Sequence, residues 1–517
     1  MIKRIKIEKG ERWWGGSTSS NVDKIPFTSG DDYSLDLLRA SNQIMPLYIS
    51  GNGRYIWSEK PFKISVSGDE IIIESDYDII LDESGKTLKD AYLNAMKKHF
   101  PFTGKTPNLT FFVTAQYNTW MEFDYNPTQE GVLDYARKII ENGYQPGVLM
   151  IDEGWHTRYG FWEWDKAKFP NPKAMIDELH LLGFKVMLWI VPYMTTDGRD
   201  FCFFKEDGNA HPEKKRMLRN EDGIMSIIRW WNGYSAVYDM TNKADREFLD
   251  GILKGLMRDY GVDGFKFDGG MMTSFVPENV INGVQSKRSP DELNEAWNEF
   301  GLKYEFHEYK DTFKGGGKPS IQRLCDRDHR WNDNGIDSII PSALLQGLIG
   351  HPFICPDMIG GGEYHYNYMP NFKIDEELFV RMAQVSALFP MMQFSWAPWR
   401  VLSEKGRQLC FAAAKLHAKY SDYIVENVKK SAVSGEPIIR HLEYSYPHCG
   451  YEKINDEFML GDKMLVAPVI KKGETKRTVV LPEGKWLYLG KEEFVGGKKI
   501  EVDAPIEILP YFVLKGE

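Results

Sequence analysis

Hydrophobic and polar positions change their pattern twice along this chain. Up to about residue 105, short β-branched runs such as 69–74 and 77–81 are bounded by Gly, Asp and Ser, which is typical of strands. From about Thr110, short apolar runs alternate with longer helical patterns, and after a helical stretch near 405–423 short strands return. We therefore predict an N-terminal β-rich domain (1–105), a central domain (106–402) and a C-terminal helical segment with a β-sandwich (403–517).

The pattern of the central domain predicts strands that alternate with helices. Seven strands are predicted, over residues 110–116, 148–152, 186–191, 264–268, 321–326, 352–357 and 391–396, and an eighth lies at either 236–240 or 337–340. Fully apolar strands followed by helices form a parallel sheet that is covered on both faces. Seven or eight such units favour an α/β fold of the (β/α)₈ TIM-barrel type over an open doubly wound sheet.

Composition and charge indicate which classes of partner and which compartment to expect for the chain. It has 517 residues, a formal net charge of −10 and no Lys/Arg-rich run, so we expect no nucleic-acid partner. No apolar stretch is long enough to span a membrane, and the N-terminus, which has no apolar core segment, predicts a strand rather than a signal peptide. Five widely spaced cysteines without a C-x-x-C pair indicate a reduced, cytoplasmic protein. The oligomeric state stays open.

The candidate chemistry lies at the ends of the predicted strands, where a barrel carries its active site. Carboxylates end or follow several of them, at Asp152, Asp239, Asp268, Asp328 and Asp357. The chain also has 15 Trp, and 11 of them fall between residues 110 and 400. Aromatic rings stack on the C–H faces of a pyranose and carboxylates accept hydrogen bonds from its hydroxyls, so this combination indicates a sugar site. Each residue alone has a structural alternative, because Asp often caps helices and Trp often packs in cores.

Three stretches resemble glycoside hydrolase family 31, a family of retaining α-glycosidases. Residues 264–270 (GFKFDGG) resemble its nucleophile strand, 186–193 (VMLWIVPY) its third strand, and 323–331 (RLCDRDHRW) with 348–360 its acid/base loop and the strand beyond. The segment 229–233 (RWWNG) and the D-R-D-x-x-W arrangement are similar to the branch of the myogenesis-regulating glycosidases. The resemblance covers about residues 110–400. The Glu that usually follows the nucleophile loop is absent, since Met271 follows Gly269-Gly270.

The resemblance implies roles for individual residues. Asp268 would be the nucleophile, with Lys266 beside it to keep it ionised, and Asp328 the general acid/base. Asp326 is the rival for the second role; Asp328 is preferred because its spacing to Asp357 matches the family. Substrate contacts are implied for Asp152, Trp189, Lys266, Arg323, Trp230, Trp231, Asp357 and Trp396. Two of these have alternatives: Arg323 could form a salt bridge to Asp326 or Asp328, and Asp357 could orient other groups.

The resemblance predicts a retaining exo-α-glycosidase that acts on an oligosaccharide or glycoside, with α-galactosides slightly favoured over α-glucosides. Two carboxyls carry this mechanism, so no metal or organic cofactor is expected. Retention predicts a separation of about 5–7 Å between the two carboxyl groups. A transglycosylase with the same residues is an alternative, as is a sugar-binding protein without activity.

Overall fold

A closed barrel of parallel strands occupies the middle of the chain in this computed structural model, which describes residues 1–197, 201 and 216–516. In barrel order its strands are Gln116–Asn118, Val148–Ile151, Lys185–Ile190, Gly264–Phe267, Phe306–Tyr309, Ile321–Arg323, the pair Ile354–Cys355 and Met358–Ile359, and Gln393–Phe394. The segment that contains the pair fills one barrel position. It is interrupted at Asp357, whose φ of 108° a regular strand does not adopt. The predicted TIM barrel is confirmed.

The eighth strand lies elsewhere than either predicted position. It is Phe306–Tyr309, between Gly264–Phe267 and Ile321–Arg323. Residues 236–240 begin inside Gly233–Val237, which belongs to a separate three-stranded sheet with Tyr193–Thr195 and Ile227–Trp230. Residues 337–340 form the start of a helical segment. The sequence F-H-E-Y is too polar to show as a buried run, although all four residues are buried.

Helices cover the barrel because each presents an apolar stripe to the sheet. The longer ones are Gln129–Glu141, Pro172–Leu181, Lys243–Tyr260, Pro290–Phe300, Ile339–Leu348, Glu376–Ala387, Glu404–Lys419 and Ser421–Ser434, and the shorter ones are Trp120–Phe123 and Pro398–Val401. Side chains of Thr128 and Asn171 cap the first two. No helix in the described part of the chain is both long and apolar enough to cross a bilayer.

β-Rich units flank the barrel on both sides. The N-terminal unit has one sheet of Ile2–Lys6, Glu70–Glu74, Lys63–Ser67 and Ser34–Asp36, and a second of Gln43–Ser50, Tyr55–Trp57, Ile80–Asp82 and Trp13–Ser17, followed by the helix Leu88–His99. The second sheet also takes in Thr312–Phe313, a short strand from the barrel domain. The C-terminal unit has a sheet of Ile439–Arg440, Phe458–Leu460, Met464–Val466, Tyr511–Leu514, Lys485–Tyr488 and Glu492–Val495, a pair of Lys476–Leu481 with Lys498–Asp503, and the helix Leu442–Ser445.

The cysteines of the described residues carry no disulfide. Cys325, Cys355, Cys410 and Cys449 are free thiols, and Cys202 lies outside the described residues.

Candidate active site

A cavity of about 230 Å³ lies at the carboxyl ends of the barrel strands. Six of the residues predicted for the site line it: Asp152, Trp189, Trp231, Lys266, Asp268 and Arg323. Seven others line it as well: Trp120, Tyr125, Glu153, Lys310, Asp326, Glu363 and Tyr364. We call this cavity the catalytic pocket.

Asp268 follows the strand Gly264–Phe267 and is 7% exposed. Trp189 Nε1 donates to its Oδ2 over 2.9 Å, and the backbone N–H of Gly269 donates to its Oδ1 over 2.8 Å. Burial by itself would raise the pKa of Asp268, but the charges of Lys310 and Lys266 and the Trp189 hydrogen bond bring it below its ordinary value. Asp268 is therefore held as a carboxylate with both oxygens oriented.

The loop after Asp268 is built from two glycines with left-handed backbones, Gly269 at φ 63° and Gly270 at φ 69°. A Cβ on Gly270 would lie 2.5 Å from the ring of Trp297, so a larger residue does not fit there. Tyr193 accepts from the Gly270 N–H through its hydroxyl, and Asn294 donates to the Gly270 carbonyl. These bonds hold the loop where the family pattern has a glutamate.

Lys266 pairs with Asp152 rather than with Asp268. Its Nζ lies 2.7 Å from Asp152 Oδ2, and both side chains are only 3% exposed. The charge of Lys266 still lowers the pKa of Asp268, which is the effect that the family resemblance implied for it. One Asp152 oxygen is thus committed to an ion pair, and the other accepts from the backbone N–H of Glu153.

Two cations hold Asp326 at the edge of the catalytic pocket. Lys310 Nζ donates to Asp326 Oδ2, and Arg323 Nη1 donates to Asp326 Oδ1 over 2.8 Å. Burial raises the pKa of Asp326, but the charges of Lys310 and Arg323 outweigh it and hold that pKa well below its usual range. The salt bridge given as the alternative for Arg323 is therefore present.

Asp328 lies in a different place from the one expected of an acid/base. It lines a second cavity of about 500 Å³, together with Asp23, Asn334 and Asp337, and it is not among the residues that line the catalytic pocket. Asp326 and Glu363 line both cavities, so they mark the boundary between them. The geometry corrects the expectation about position: of the two candidates, Asp326 shares a pocket with Asp268.

Three further residues predicted to contact substrate do not line the pocket: Trp230, Trp396 and Asp357. Trp230 is 7% exposed and donates to Ser235, while its neighbour Trp231 reaches the pocket. Trp396 packs against His329 and Phe372.

Asp357 accepts from Arg323 Nη1 over 2.5 Å and from the N–H groups of Arg327 and Gly362. It therefore orients Arg323 and the loop that carries Asp326, which was its alternative role.

Most of the tryptophans proved to be core residues. Trp155, Trp162 and Trp297 are at most 1% exposed, whereas the pocket is lined by Trp120, Trp189 and Trp231. The excess of Trp pointed to the right domain, but burial rather than sugar contact accounts for most of it.

Sequence reasoning missed Lys310, Glu153 and Glu363. Lys310 follows the unrecognised strand Phe306–Tyr309, so its position at a strand end was hidden. Glu153 follows Asp152 directly, and that adjacency was the signal available for it.

The Glu153 carboxyl is buried and hydrogen-bonded. Its Oε1 accepts from Tyr159 and from Asn232, both over 2.5 Å. Burial raises the pKa of Glu153 to about 8, and the charges of Asp152 and Asp268 act in the same direction against the Tyr159 hydrogen bond. Burial therefore favours the protonated form of Glu153.

The pocket offers paired carboxyls rather than a metal site. Among the described residues, no group of three or more His, Cys, Asp or Glu side chains is arranged to hold a metal ion. The ionised carboxylate can attack an anomeric carbon on one side, and the second carboxyl, at the boundary between the two cavities, can protonate a leaving oxygen on the other. The aromatic walls would hold the sugar between them.

Comparison with known proteins agrees with this chemistry. A model of the glycosyl hydrolases family 31 TIM-barrel domain matches residues 112–424, and one of the family's C-terminal domain matches 435–517. The chain is 28% identical to the myogenesis-regulating glycosidase of Mus musculus over 511 residues, covering 96% of this chain and 67% of that protein. It is 24% identical to the sulfoquinovosidase of Escherichia coli (strain K12) over 470 residues, covering 84% and 66%.

The fold also has a solved counterpart. The GH31 dextranase of Flavobacterium johnsoniae, complexed with glucose, superposes with a TM-score of 0.84 at 19% identity, covering 100% of this chain and 66% of that one. The chain thus spans about two thirds of the length of these relatives.

Proposed function

Because the chain belongs to glycosyl hydrolase family 31, we propose that it is a retaining, exo-acting α-glycosidase that removes one terminal α-linked hexose from an oligosaccharide or glycoside. The observation that carries the proposal is the catalytic pocket itself, which Asp268 and Asp326 both line, each after the end of a barrel strand. Its volume of about 230 Å³ is below the range usual for drug-sized ligands, which suits a single sugar ring.

The proposed reaction is a double displacement. The Asp268 carboxylate attacks the anomeric carbon, the bond from that carbon to the leaving oxygen breaks, and Asp326 gives its proton to that oxygen. A water then attacks the anomeric carbon, Asp326 takes a proton from it, and the bond to Asp268 breaks.

The protonation of Asp326 changes between these steps. In the empty pocket Lys310 and Arg323 keep Asp326 ionised, which is the form required to accept a proton from water. Asp326 must therefore take up a proton from solvent before the first step, and carboxylate charge at Asp357 and Glu363 acts in that direction.

Charge in the pocket favours a neutral sugar. The cations that line it within the described residues are Lys266, Lys310 and Arg323, and each already contacts a carboxylate. An anionic substituent would have to compete with these ion pairs, which argues against a sulfonated or carboxylated sugar.

The pocket residues also bear on the choice between neutral hexoses. α-Galactosides are proposed ahead of α-glucosides because the R-W-W-N-G segment resembles the branch of the myogenesis-regulating glycosidases, and this segment contributes Trp231 to the pocket lining.

The leaving group is proposed to extend into the second cavity, which begins at Asp326. Asn334, Ser338 and Asn455 line that cavity, and no aromatic side chain of the described residues is among its lining. Hydrogen bonds rather than stacking would therefore hold the leaving group, so a second sugar suits this cavity better than an aryl group.

The test is a panel of α-linked disaccharides and aryl α-glycosides with galacto, gluco, xylo, N-acetylgalactosamino and sulfoquinovo rings, with the released anomer followed by NMR. We expect hydrolysis of a neutral α-hexoside with the α-anomer appearing first. An initial β-anomer would contradict retention, and turnover only of the sulfoquinovoside would contradict the charge argument.

Asp268→Asn provides the control for the mechanism. We expect kcat to fall by roughly 10³-fold or more, because loss of the nucleophile removes the covalent route. Full hydrolysis by this variant would exclude Asp268 as nucleophile.

A further inference from the structure

The N-terminal domain reaches the catalytic pocket through a strand that it shares with the barrel. Thr312–Phe313 leaves the barrel two residues after Lys310 and pairs in parallel with Gln43–Ser50, with Thr312 opposite Gln43. The backbone N–H of Asn42 donates to the Asp311 carboxylate over 2.7 Å, and the Asn42 side chain donates to the Lys310 carbonyl over 2.6 Å. The chain on either side of Lys310 is thereby attached to another domain.

Gln43 joins the two cations of the pocket from behind. Its Nε2 donates to the backbone carbonyl of Lys310 and to that of Arg323, both over 2.9 Å. Thr18 Oγ1 donates to Gln43 Oε1 over 2.8 Å, which sets the orientation of the amide. Gln43 and Thr18 are both 0% exposed, so water does not replace these bonds.

The two carbonyls belong to the residues whose side chains meet at Asp326. Lys310 and Arg323 end neighbouring barrel positions and are brought together only by the fold. One amide that donates to both carbonyls fixes the spacing between the segment at Lys310 and the segment at Arg323. A shift there moves both cationic side chains relative to Asp326.

We propose that Gln43 is a positioning residue for catalysis, which holds Lys310 and Arg323 at Asp326 and makes the N-terminal domain part of the catalytic centre. The inference rests on the proposed function, since it assigns Gln43 a role in that reaction. Gln43 does not line the pocket itself and acts through the two cations.

The expected consequence is a change in pH dependence. The charged groups that face Asp326 are Lys310, Arg323, Lys266, Asp268, Asp357 and Glu363. Release of Lys310 and Arg323 weakens the attraction that keeps Asp326 ionised, so its pKa rises. Lys310 also lowers the pKa of Asp268, so the pKa of the nucleophile rises too.

The experiment compares Gln43→Leu with Thr18→Val in the full chain. Gln43→Leu removes both donors at similar volume, and Thr18→Val removes only the hydroxyl that orients the amide. We expect the kcat/KM profile of Gln43→Leu to move to higher pH by roughly half a unit or more, with kcat reduced roughly tenfold. Thr18→Val should shift the profile in the same direction by a smaller amount. If Gln43→Leu does not fold, the shift in Thr18→Val tests the inference in its place.

The control is Lys60→Met, which removes a different contact between the N-terminal domain and the barrel. Lys60 Nζ lies 2.7 Å from Asp291, and neither residue lines the catalytic pocket. We expect this variant to lose some thermal stability with an unchanged pH profile. A shift of the profile equal to that of Gln43→Leu would mean that domain attachment in general, rather than Gln43, matters.

Crystal structures of the two variants give a readout that needs no activity. We expect Lys310 Nζ and the Arg323 guanidinium to move away from Asp326 in Gln43→Leu. Both cations in place together with an unchanged pH profile would overturn the inference. A wild-type enzyme inactive on every glycoside of the panel would overturn the proposed function, and the positions of the two cations would still decide the role of Gln43.

Discussion

Two aspartates that are two residues apart face different cavities, and this difference decides their chemistry. Asp326 follows the strand Ile321–Arg323 and is held by two cations at the catalytic pocket. Asp328 turns into the neighbouring cavity, where the basic side chains paired with it are Arg330 at 3.9 Å and His365 at 4.0 Å. Spacing to Asp357 along the sequence favours Asp328, whereas the loop path places Asp326 at the catalytic pocket.

Replacement of each aspartate by asparagine separates these roles. Asp326→Asn should lower kcat for a disaccharide by roughly 10²- to 10⁴-fold, because the leaving oxygen loses its proton donor. A glycosyl fluoride, which needs no proton, should keep its rate of glycosyl-enzyme formation, and azide should restore turnover. Asp328→Asn is the matched control and should stay within roughly twofold of wild type, because its long-range ion pairs contribute little. Loss of activity in Asp328→Asn alone would return the acid/base role to that residue.

At the scale of elements, a hairpin outside the barrel completes the pocket. Ile227–Trp230 and Gly233–Val237 pair in an antiparallel register, and the turn between them carries Trp231 and Asn232. Trp231 lines the pocket, and Asn232 donates to Glu153. The turn depends on Gly233, whose φ is 102° and around which a Cβ would meet no atom within 4 Å. Its backbone conformation, and not its surroundings, requires glycine.

Gly233→Ala should therefore weaken substrate binding more than it slows the chemistry. The left-handed backbone costs an alanine about 1 kcal/mol or more, which displaces the turn from Glu153. We expect KM to rise severalfold with kcat nearly unchanged, measured on the best glycoside of the panel.

Gly251→Ala is the control for this prediction, because Gly251 lies within the helix Lys243–Tyr260 with open space around it. That variant should gain about 0.5–1 kcal/mol in stability with unchanged kinetics. A fall in kcat in Gly233→Ala without a change in KM would contradict the role given to the turn.

At the scale of the whole molecule, a buried arginine takes part in the contact between the barrel and its C-terminal neighbour. Arg381, on the helix Glu376–Ala387, is 1% exposed. Its guanidinium donates to the carbonyls of Glu474, Ala504, Pro505 and Ile508, at distances from 2.9 to 3.4 Å. One side chain therefore bonds carbonyls of two segments of the C-terminal unit, Glu474 and residues 504–508.

Arg381→Met should destabilise the protein by about 3 kcal/mol, because buried carbonyls lose their donors while the side-chain volume is largely kept. Thermal unfolding at one scan rate should show a lower midpoint, with KM unchanged in the folded enzyme. Lys405→Met, which removes the exposed ion pair with Glu507 in the same C-terminal segment, should lower the midpoint little. An equal fall of the unfolding midpoint in the two variants would contradict the stabilising role given to Arg381.

Local pattern predicted the barrel and a sugar site at its strand ends, and the family resemblance supplied the catalytic roles. Apolar strands alternating with amphipathic helices determine a parallel sheet covered on both faces, and strand ends of such a sheet meet at one edge. This placed Asp152, Trp189 and Asp268 correctly at the pocket, because each lies in a barrel strand or directly after one. The strand Phe306–Tyr309 was not predicted because His307 and Glu308 interrupt its apolar pattern. The position of Lys310 at a strand end was therefore not predicted either.

Only the tertiary structure decided which side chains beyond the strand ends reach the pocket. Asp357 accepts from the N–H of Arg327, which lies between the two aspartates, and of these two only Asp326 lines the pocket together with Asp268. Gln43 contacts Lys310 and Arg323 from a separate domain, far away in sequence. Periodicity reports the environment of each residue within its own element, whereas loop paths and contacts between domains depend on hydrogen bonds between distant segments, which exist only after the chain has folded.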